Sequence, residues 1–343
     1  AVLILGRFSG DAVDWFMRVQ FELSQREDLT VSFRRSVPAS ALAELRTLPG
    51  VLRAEGLRIV SVRYRFGHVT RQSILFGHPE GADLRQIVDR AGVVQAVPEH
   101  GITLDATLAR RLGCRVGDEI SVEWLEGLRG TRRVRVAALA DEAFGLFGHV
   151  DARELARLWS EEPRITQALL RVDKSQYARL ARAIKARPTV LSVSRLDAQI
   201  EQFRQQTAGQ MRFTTLILTV FAVIIASGVV YNNARIALST RSRDLASMRV
   251  LGFRKREISS VLLGELAIQV GLAIVPGLLL ARLLAESMMA GADPDLYRFP
   301  VVISARTDAF AIVITLAAAL VSALIVRHQL DRLDLIGVLK SKE

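Results

Sequence analysis

The sequence predicts an α+β domain, made of two βαβ lobes with a β-rich insertion, joined to an all-α bundle of three transmembrane helices. Three observations predict it. The uncharged run FTTLILTVFAVIIASGVVYNNA, Phe213 to Ala234, covers ~33 Å as a helix, about the thickness of a bilayer's hydrocarbon core. Two further apolar runs follow, Val261 to Ala281, interrupted only by Glu265, and Ala309 to Val326. Three such runs in succession do not fit a soluble domain. Everything between Asp11 and Phe213 is, by contrast, charged and alternates between strand-like and helix-like segments.

Composition agrees with that division. Of 343 residues 50% are hydrophobic, with a mean hydropathy of +0.26 and a formal net charge of +11. A basic chain invites a nucleic-acid reading. Much of the clustered charge lies beside the apolar runs, however, where membrane topology accounts for it, and no nucleic-acid partner is expected. Basic residues there also attract anionic lipid headgroups. Cys114 is the single cysteine, so an intrachain disulfide and a multi-cysteine metal site are excluded.

Flanking charge sets the orientation. Arg235, Arg241, Arg243, Arg249, Arg254, Lys255 and Arg256 lie between the first two runs, against only Asp244 and Glu257. Between the second and third runs, Arg282, Arg298 and Arg306 are balanced by Glu286, Asp293, Asp295 and Asp308. The positive-inside rule puts the first connection and the C-terminus in the cytoplasm, and residues 11–208 and the second connection outside it.

Taken in order, AVLILGRFSG (1–10) is apolar but too short to span, and is expected as the outer end of a truncated transmembrane helix, so that the chain is the C-terminal part of a longer membrane protein. Asp11 to Glu27 has helical spacing at Val13, Phe16, Val19 and Leu23. LTVSF (29–33) alternates as a strand, ALAELRTL (41–48) is a short helix after Ser40, and GVLRAEG and RIVSVRYRFG return as strands, which gives a split βαβ unit. The β-rich insertion runs from about Gly67 to Pro163. Within it VTRQSILFG is a strand, ADLRQIVDR is helix-like, Thr103–Gly113 is a helix ending at a glycine, and VGDEISVEW and TRRVRVAALA are strands. ITQALLRVD, QYARLARAIKARP and VLSVSRL then form a second βαβ unit. Asp197 to Met211 is a polar helix entering the first span. The membrane domain, 209–343, is expected to hold helices at about 213–237, 258–284 and 308–327.

No catalytic constellation is found. There is no Walker A sequence, no G-x-S-x-G and no H-E-x-x-H. His78, His100 and His149 are scattered and read as solvated loop histidines, with a metal site among them as the alternative. The adjacent acids Asp118-Glu119 point to opposite faces of a strand, and Glu161-Glu162 precedes Pro163 as an exposed loop. No catalytic residue, cofactor or metal ligand is assigned.

The membrane part carries more. Glu265 is an ionisable residue near the inner end of a span, which reads as functional or as an interfacial carboxylate paired with Arg254 or Arg256. Pro276-Gly277 in mid-helix would kink or soften the second span. Asn232 and Asn233 can hydrogen-bond to a neighbouring helix. Arg241 to Leu251 reads as a short amphipathic helix with Leu245, Met248 and Leu251 on one side and Gly252 placed to end it. It either lies on anionic lipid or docks a cytoplasmic partner.

The stretch RSRDLASMRVLGFRKREISSVLLGE, Arg241 to Glu265, resembles the signature of FtsX/MacB-type ABC transporter permeases: Arg241, Arg243, Leu245, Ala246, Arg249, Leu251, Gly252, Phe253 and Glu265 match, while Asp244 and Met248 replace the usual Glu and Leu. The tail RLDLIGVLK and the segment Gly101–Val122 also resemble family stretches. The resemblance implies a permease of the bacterial inner membrane that is not itself an enzyme. A separate cytoplasmic ABC ATPase would grip Arg243, Leu245, Met248, Arg249, Leu251 and Gly252, and ATP hydrolysis would move the periplasmic domain. It implies a second permease unit, as N-terminal repeat or dimer partner, and substrates among lipoproteins, peptides and lipophilic compounds. The alternative within the family is a regulatory membrane protein controlling a periplasmic partner such as a cell-wall hydrolase.

Overall fold

The computed structural model describes residues 1–126, 130–240, 247–248, 251, 253, 255–290 and 303–332. It divides into two compact units, one centred on Val13–Thr207 and the other on Ala1–Ala12 together with the helices that follow Ala208.

In the first unit two βαβ units interleave. β1 (Leu29–Pro38), α2 (Ala41–Arg46) and β2 (Val51–Phe66) make one; β10 (Arg164–Val172), α5 (Tyr177–Lys185) and β11 (Val190–Arg195) make the other. Their strands lie side by side in the order β11-β1-β10-β2, each antiparallel to its neighbour. The two segments expected as separate strands at Gly50–Gly56 and Arg58–Gly67 are one 16-residue strand, β2. Leu29, Val31, Leu45, Ala168, Leu170 and Ile184 form the core beneath this array.

The insertion is a second layer built on the far half of β2. From Arg58 to Phe66 that strand pairs with β3 (Val69–His78), and from Val62 to Arg65 also with β7 (Glu119–Trp124). With β6 (Ile102–Asp105), β8 (Thr131–Ala140) and β9 (Gly148–Asp151) the order β2-β3-β9-β6-β8-β7 closes back on β2, a small barrel among the described residues. Alternate residues of β2, Val60, Val62 and Tyr64, point into it and are fully buried. The expected helix at Thr103–Gly113 proves to be strand β6 followed by helix α3 (Ala106–Leu112). Asp105 separates the two, its carboxylate accepting from the Thr107 and Leu108 amides, and Gly113 at φ 81° ends the helix. α4 (Ala152–Trp159) packs on β3 and β9, with Leu155 in the barrel's core.

One expected helix is absent. ADLRQIVDR forms a strap, with a two-residue strand β4 (Ile87–Val88) pairing with β5 (Val94–Gln95). Its backbone groups have tertiary partners instead of helical ones. The Asp83 and Leu84 amides donate to the Glu55 carboxylate, the Leu84 carbonyl accepts from the Arg26 amide, and the Gln86 amide donates to the Ser24 carbonyl. At the N-terminus the residues expected as two segments form one helix, α1 (Val2–Met17), continued by a π-helical segment, Arg18–Ser24.

Gly148 in β9 lies directly against the Tyr64 hydroxyl, so a Cβ there would collide with it. Gly148→Ala is expected to destabilise this unit by about 1–3 kcal/mol, as overpacking does. Gly130→Ala, with open space around it, should stay within about 0.5 kcal/mol. Urea unfolding followed by tryptophan fluorescence, to which the paired Trp124 and Trp159 contribute, checks both.

Candidate functional site

The second unit holds three helices long and apolar enough to cross a membrane: Phe213–Asn233 within α6 (Leu196–Thr240), Leu263–Met288 within α7 (Lys255–Ala290), and Ala305–Ile325 within α8 (Ala305–Arg332). Their contacts use small residues. Ala222, Ala281, Ala285, Ala311 and Ala318 are buried, while Phe221, Ile224, Leu272, Leu283 and Leu320 are exposed. That distribution suits helices packed in lipid, where small side chains let backbones approach and large apolar ones face the acyl chains. Ser322 donates from Oγ to the Ser227 carbonyl across the α8–α6 contact at 3.3 Å.

The start of α1 belongs to this bundle. Ile4 is buried, Gly6 accepts a hydrogen bond on its carbonyl from Thr215, and a Cβ on Gly6 would press on Leu218. Asp11 ties α1 to the entry of α8. Its two carboxylate oxygens accept from the Ser304 amide (2.9 Å) and the Ser304 hydroxyl (3.0 Å), and Ser304 in turn caps Thr307. The Arg7 guanidinium lies 4.3 Å over the Phe310 ring, and Arg282 pairs with Asp308 at 3.2 Å. A mainly apolar cavity of about 330 Å³ opens between these helices, lined by Ile4, Ala226, Asn233, Gln269, Gly277 and Thr315 among others.

The residues singled out from sequence land as follows. Glu265 lies half-buried in α7, two residues into its apolar stretch, and Pro276 sits in the interior of the same helix, next to the cavity-lining Gly277. Asn233 also lines the cavity. Of the coupling residues, Arg243, Leu245, Arg249 and Gly252 lie outside the described residues, and so does most of the expected Arg241–Leu251 helix. Ser247 and Met248 are helical, and the amides of Leu251 and Phe253 donate to the carbonyls of Ser247 and Met248. Leu251 is 78% exposed.

The reading of the histidines is corrected. His100 is exposed, 3.5 Å from Glu154. His78 and His149, far apart in sequence, are both buried and 3.0 Å apart, with Glu142 on the outer nitrogen of His149. The sequence did hold a signal: Leu-Phe-Gly-His occurs twice, at 75–78 and 146–149, on strands that become parallel neighbours. Among the described residues no group of three or more His, Cys, Asp and Glu side chains gathers to hold a metal ion.

Comparison with known proteins bears on the membrane unit first. Residues 216–327 match the FtsX-like permease C-terminal family. No curated protein matches the chain. Among solved structures, the extracellular domain of the noncanonic ABC-type transporter YknZ from Gram-positive bacteria aligns with 49% of this chain and 98% of its own, at 14% identity and a TM-score of 0.36. The periplasmic region of MacB from Actinobacillus actinomycetemcomitans aligns with 55% of this chain and 96% of its own, at 12% identity and a TM-score of 0.37. The matched segment takes in α7, nearly all of α8, most of the apolar part of α6 and the whole Arg241–Glu265 motif, so this part of the chain is similar to the FtsX-like permease C-terminal domain.

Proposed function

We propose that the chain is the permease subunit of an ABC transporter in a bacterial inner membrane. In this reading a separate cytoplasmic ATPase hydrolyses ATP, and the chain turns that cycle into movement of the domain at about 11–208 on the periplasmic side. The observation that carries the reading is the family match over residues 216–327, which includes the Arg241–Glu265 motif.

The physical parts suit the task. The connection between α6 and α7 is strongly basic, which favours its retention in the cytoplasm. Leu245, Met248 and Leu251 give it apolar anchors, each worth ~1.5–3 kcal/mol when buried against a partner, with Arg243 and Arg249 around them to meet an acidic rim. The 45-residue α6 carries polar sequence before Ala208 and apolar sequence after it. Pro276 frees a backbone carbonyl within α7 and gives that helix a place to bend. The mainly apolar, small-residue bundle suits a lipophilic, lipoprotein or peptide cargo handled together with a second permease unit.

Two outcomes are expected. Reporter fusions at Gly130 and at Arg254 should place those positions on opposite sides of the membrane; both on one side sinks the topology. Leu251→Asp, or Gly252→Val, should abolish the permease's stimulation of its ATPase while leaving membrane insertion intact. Co-purification with a fully stimulated ATPase from the Leu251→Asp variant would rule the coupling role out.

A further inference from the structure

The two Leu-Phe-Gly-His segments lie on the parallel neighbours β3 and β9, in a register that pairs Phe76 with His149. His78, two residues beyond Phe76, therefore emerges on the same face one step along. The His149 ring stacks on Phe76 with centroids 5.5 Å apart, and its Nδ1 lies 3.0 Å from His78 Nε2. Its Nε2 lies 2.6 Å from Glu142 Oε1. The two rings are only 2% and 4% exposed.

With Glu142 ionised, this arrangement assigns the hydrogens. A carboxylate at Glu142 can only accept, so His149 Nε2 carries the hydrogen and a neutral His149 presents a bare Nδ1. His78 Nε2 must then be the donor to it. What is left is His78 Nδ1, buried and without a partner of good hydrogen-bond geometry, although the Arg85 backbone is close enough to favour a charged ring. A further proton would bind there.

The groups facing that site make such a proton unwelcome. Burial disfavours the charged ring first of all, and the neighbouring His149 imidazole and Arg85 guanidinium add to it, while the Arg85 backbone, which favours the charged ring, offsets part, so that His78 is held well below the ordinary histidine range. Arg85 is itself paired with buried Glu27. Asp141, beside Glu142, is turned to Arg90, and Asp151, at the end of β9, is engaged with the Arg153 and Glu154 amides. The π-helical segment contributes only neutral Gln20 and Ser24, which with Arg85, Gln86 and Phe144 wall a cavity of about 50 Å³ against the histidines. Over this cavity the strap is fastened to the chain leaving the π-helix: Ser24 Oγ donates to the Gln86 carbonyl at 2.8 Å, and the two backbones bond at Gln86–Ser24 and Arg26–Leu84.

We propose that the His78–His149–Glu142 relay is an acid-sensitive latch: a proton taken from solvent at His78 Nδ1 loosens the strap Asp83–Val88 and the π-helical segment Arg18–Ser24 from the barrel. The sign follows from linkage. The closed form keeps His78 neutral, while an opened, solvated His78 takes up the proton near pH 6.5. Closure is complete above that pH and weakens as pH falls below it. The latch does not depend on the permease reading, and either can fail alone.

Hydrogen–deuterium exchange on the full chain in detergent, at pH 7.5 and 5.5 and corrected for intrinsic rates, tests it. Peptides covering Arg18–Ser24 and Asp83–Val88 should open about tenfold more at the lower pH, with β6 and β8 unchanged. His78→Gln, which keeps a donor but cannot take the proton, should remove the difference, as should the apolar His78→Met. Strap exchange that is flat in the native protein, or that changes equally in a variant with native tryptophan fluorescence, overturns the proposal. If neither variant folds, ring NMR of the native protein decides: His78 remaining neutral down to pH 5.5 while the strap is closed supports the latch, and titration near pH 6.5 with the strap closed refutes it.

Discussion

Strand β2 is the constraint on which the extramembranous unit depends. Its first half, Val51–Leu57, is hydrogen-bonded to β10, and its second half, Arg58–Phe66, to β3 and β7. One strand thus belongs to two sheets, and its register in one fixes its register in the other. Side chains alternate with a period of two, so a slip by a single residue would turn Val60, Val62 and Tyr64 out of the barrel. Each of those side chains contributes ~1.5–3 kcal/mol by burial, which makes the slipped state expensive. Gly56, just before the changeover, shows how tight the join is: a Cβ there would come within 2.5 Å of the Ile165 side chain.

The membrane unit is organised by the opposite rule. In its three long helices the buried described residues are small and most large apolar ones point outward, as expected where hydrocarbon surroundings remove the hydrophobic reason to bury a leucine. What remains is close backbone contact and hydrogen bonding. The Ser322 hydroxyl between α8 and α6, the Thr215 hydroxyl on α1, and the Asp11 carboxylate on Ser304 are bonds of that kind. A carboxylate accepting two hydrogen bonds at the entry of α8 also meets the positive end of that helix's dipole.

Buried polar groups recur where regular structure is thin. The strap has only the two residues of β4 in a ladder, yet it is held by the Glu55 carboxylate on two of its amides and by the Glu27–Arg85 pair, both acids nearly inaccessible to water. Such groups are costly unless partnered, and their partners here lie on distant parts of the chain. The region is thus both well determined and sensitive to any change in charge, which is why the histidine relay beneath it matters.

The sequence by itself determined the α+β class, the three apolar helices, most strands of the extramembranous unit and the glycine that ends α3. These rest on local patterns: alternation, uninterrupted apolar length and a residue free to take positive φ. The Arg241–Glu265 motif, and with it the similarity to FtsX-like permeases, was legible because it is contiguous. The tertiary structure alone decided the rest. ADLRQIVDR has helical spacing, but Glu55 and the chain after the π-helix capture its backbone, and such capture has no local signature. The interleaving of the two βαβ units and the closure of the barrel through β2 depend on long-range pairing. His78 and His149 looked like isolated loop residues because 71 positions separate them. Only the parallel register of β3 and β9 brings the repeated Leu-Phe-Gly-His segments onto one buried face.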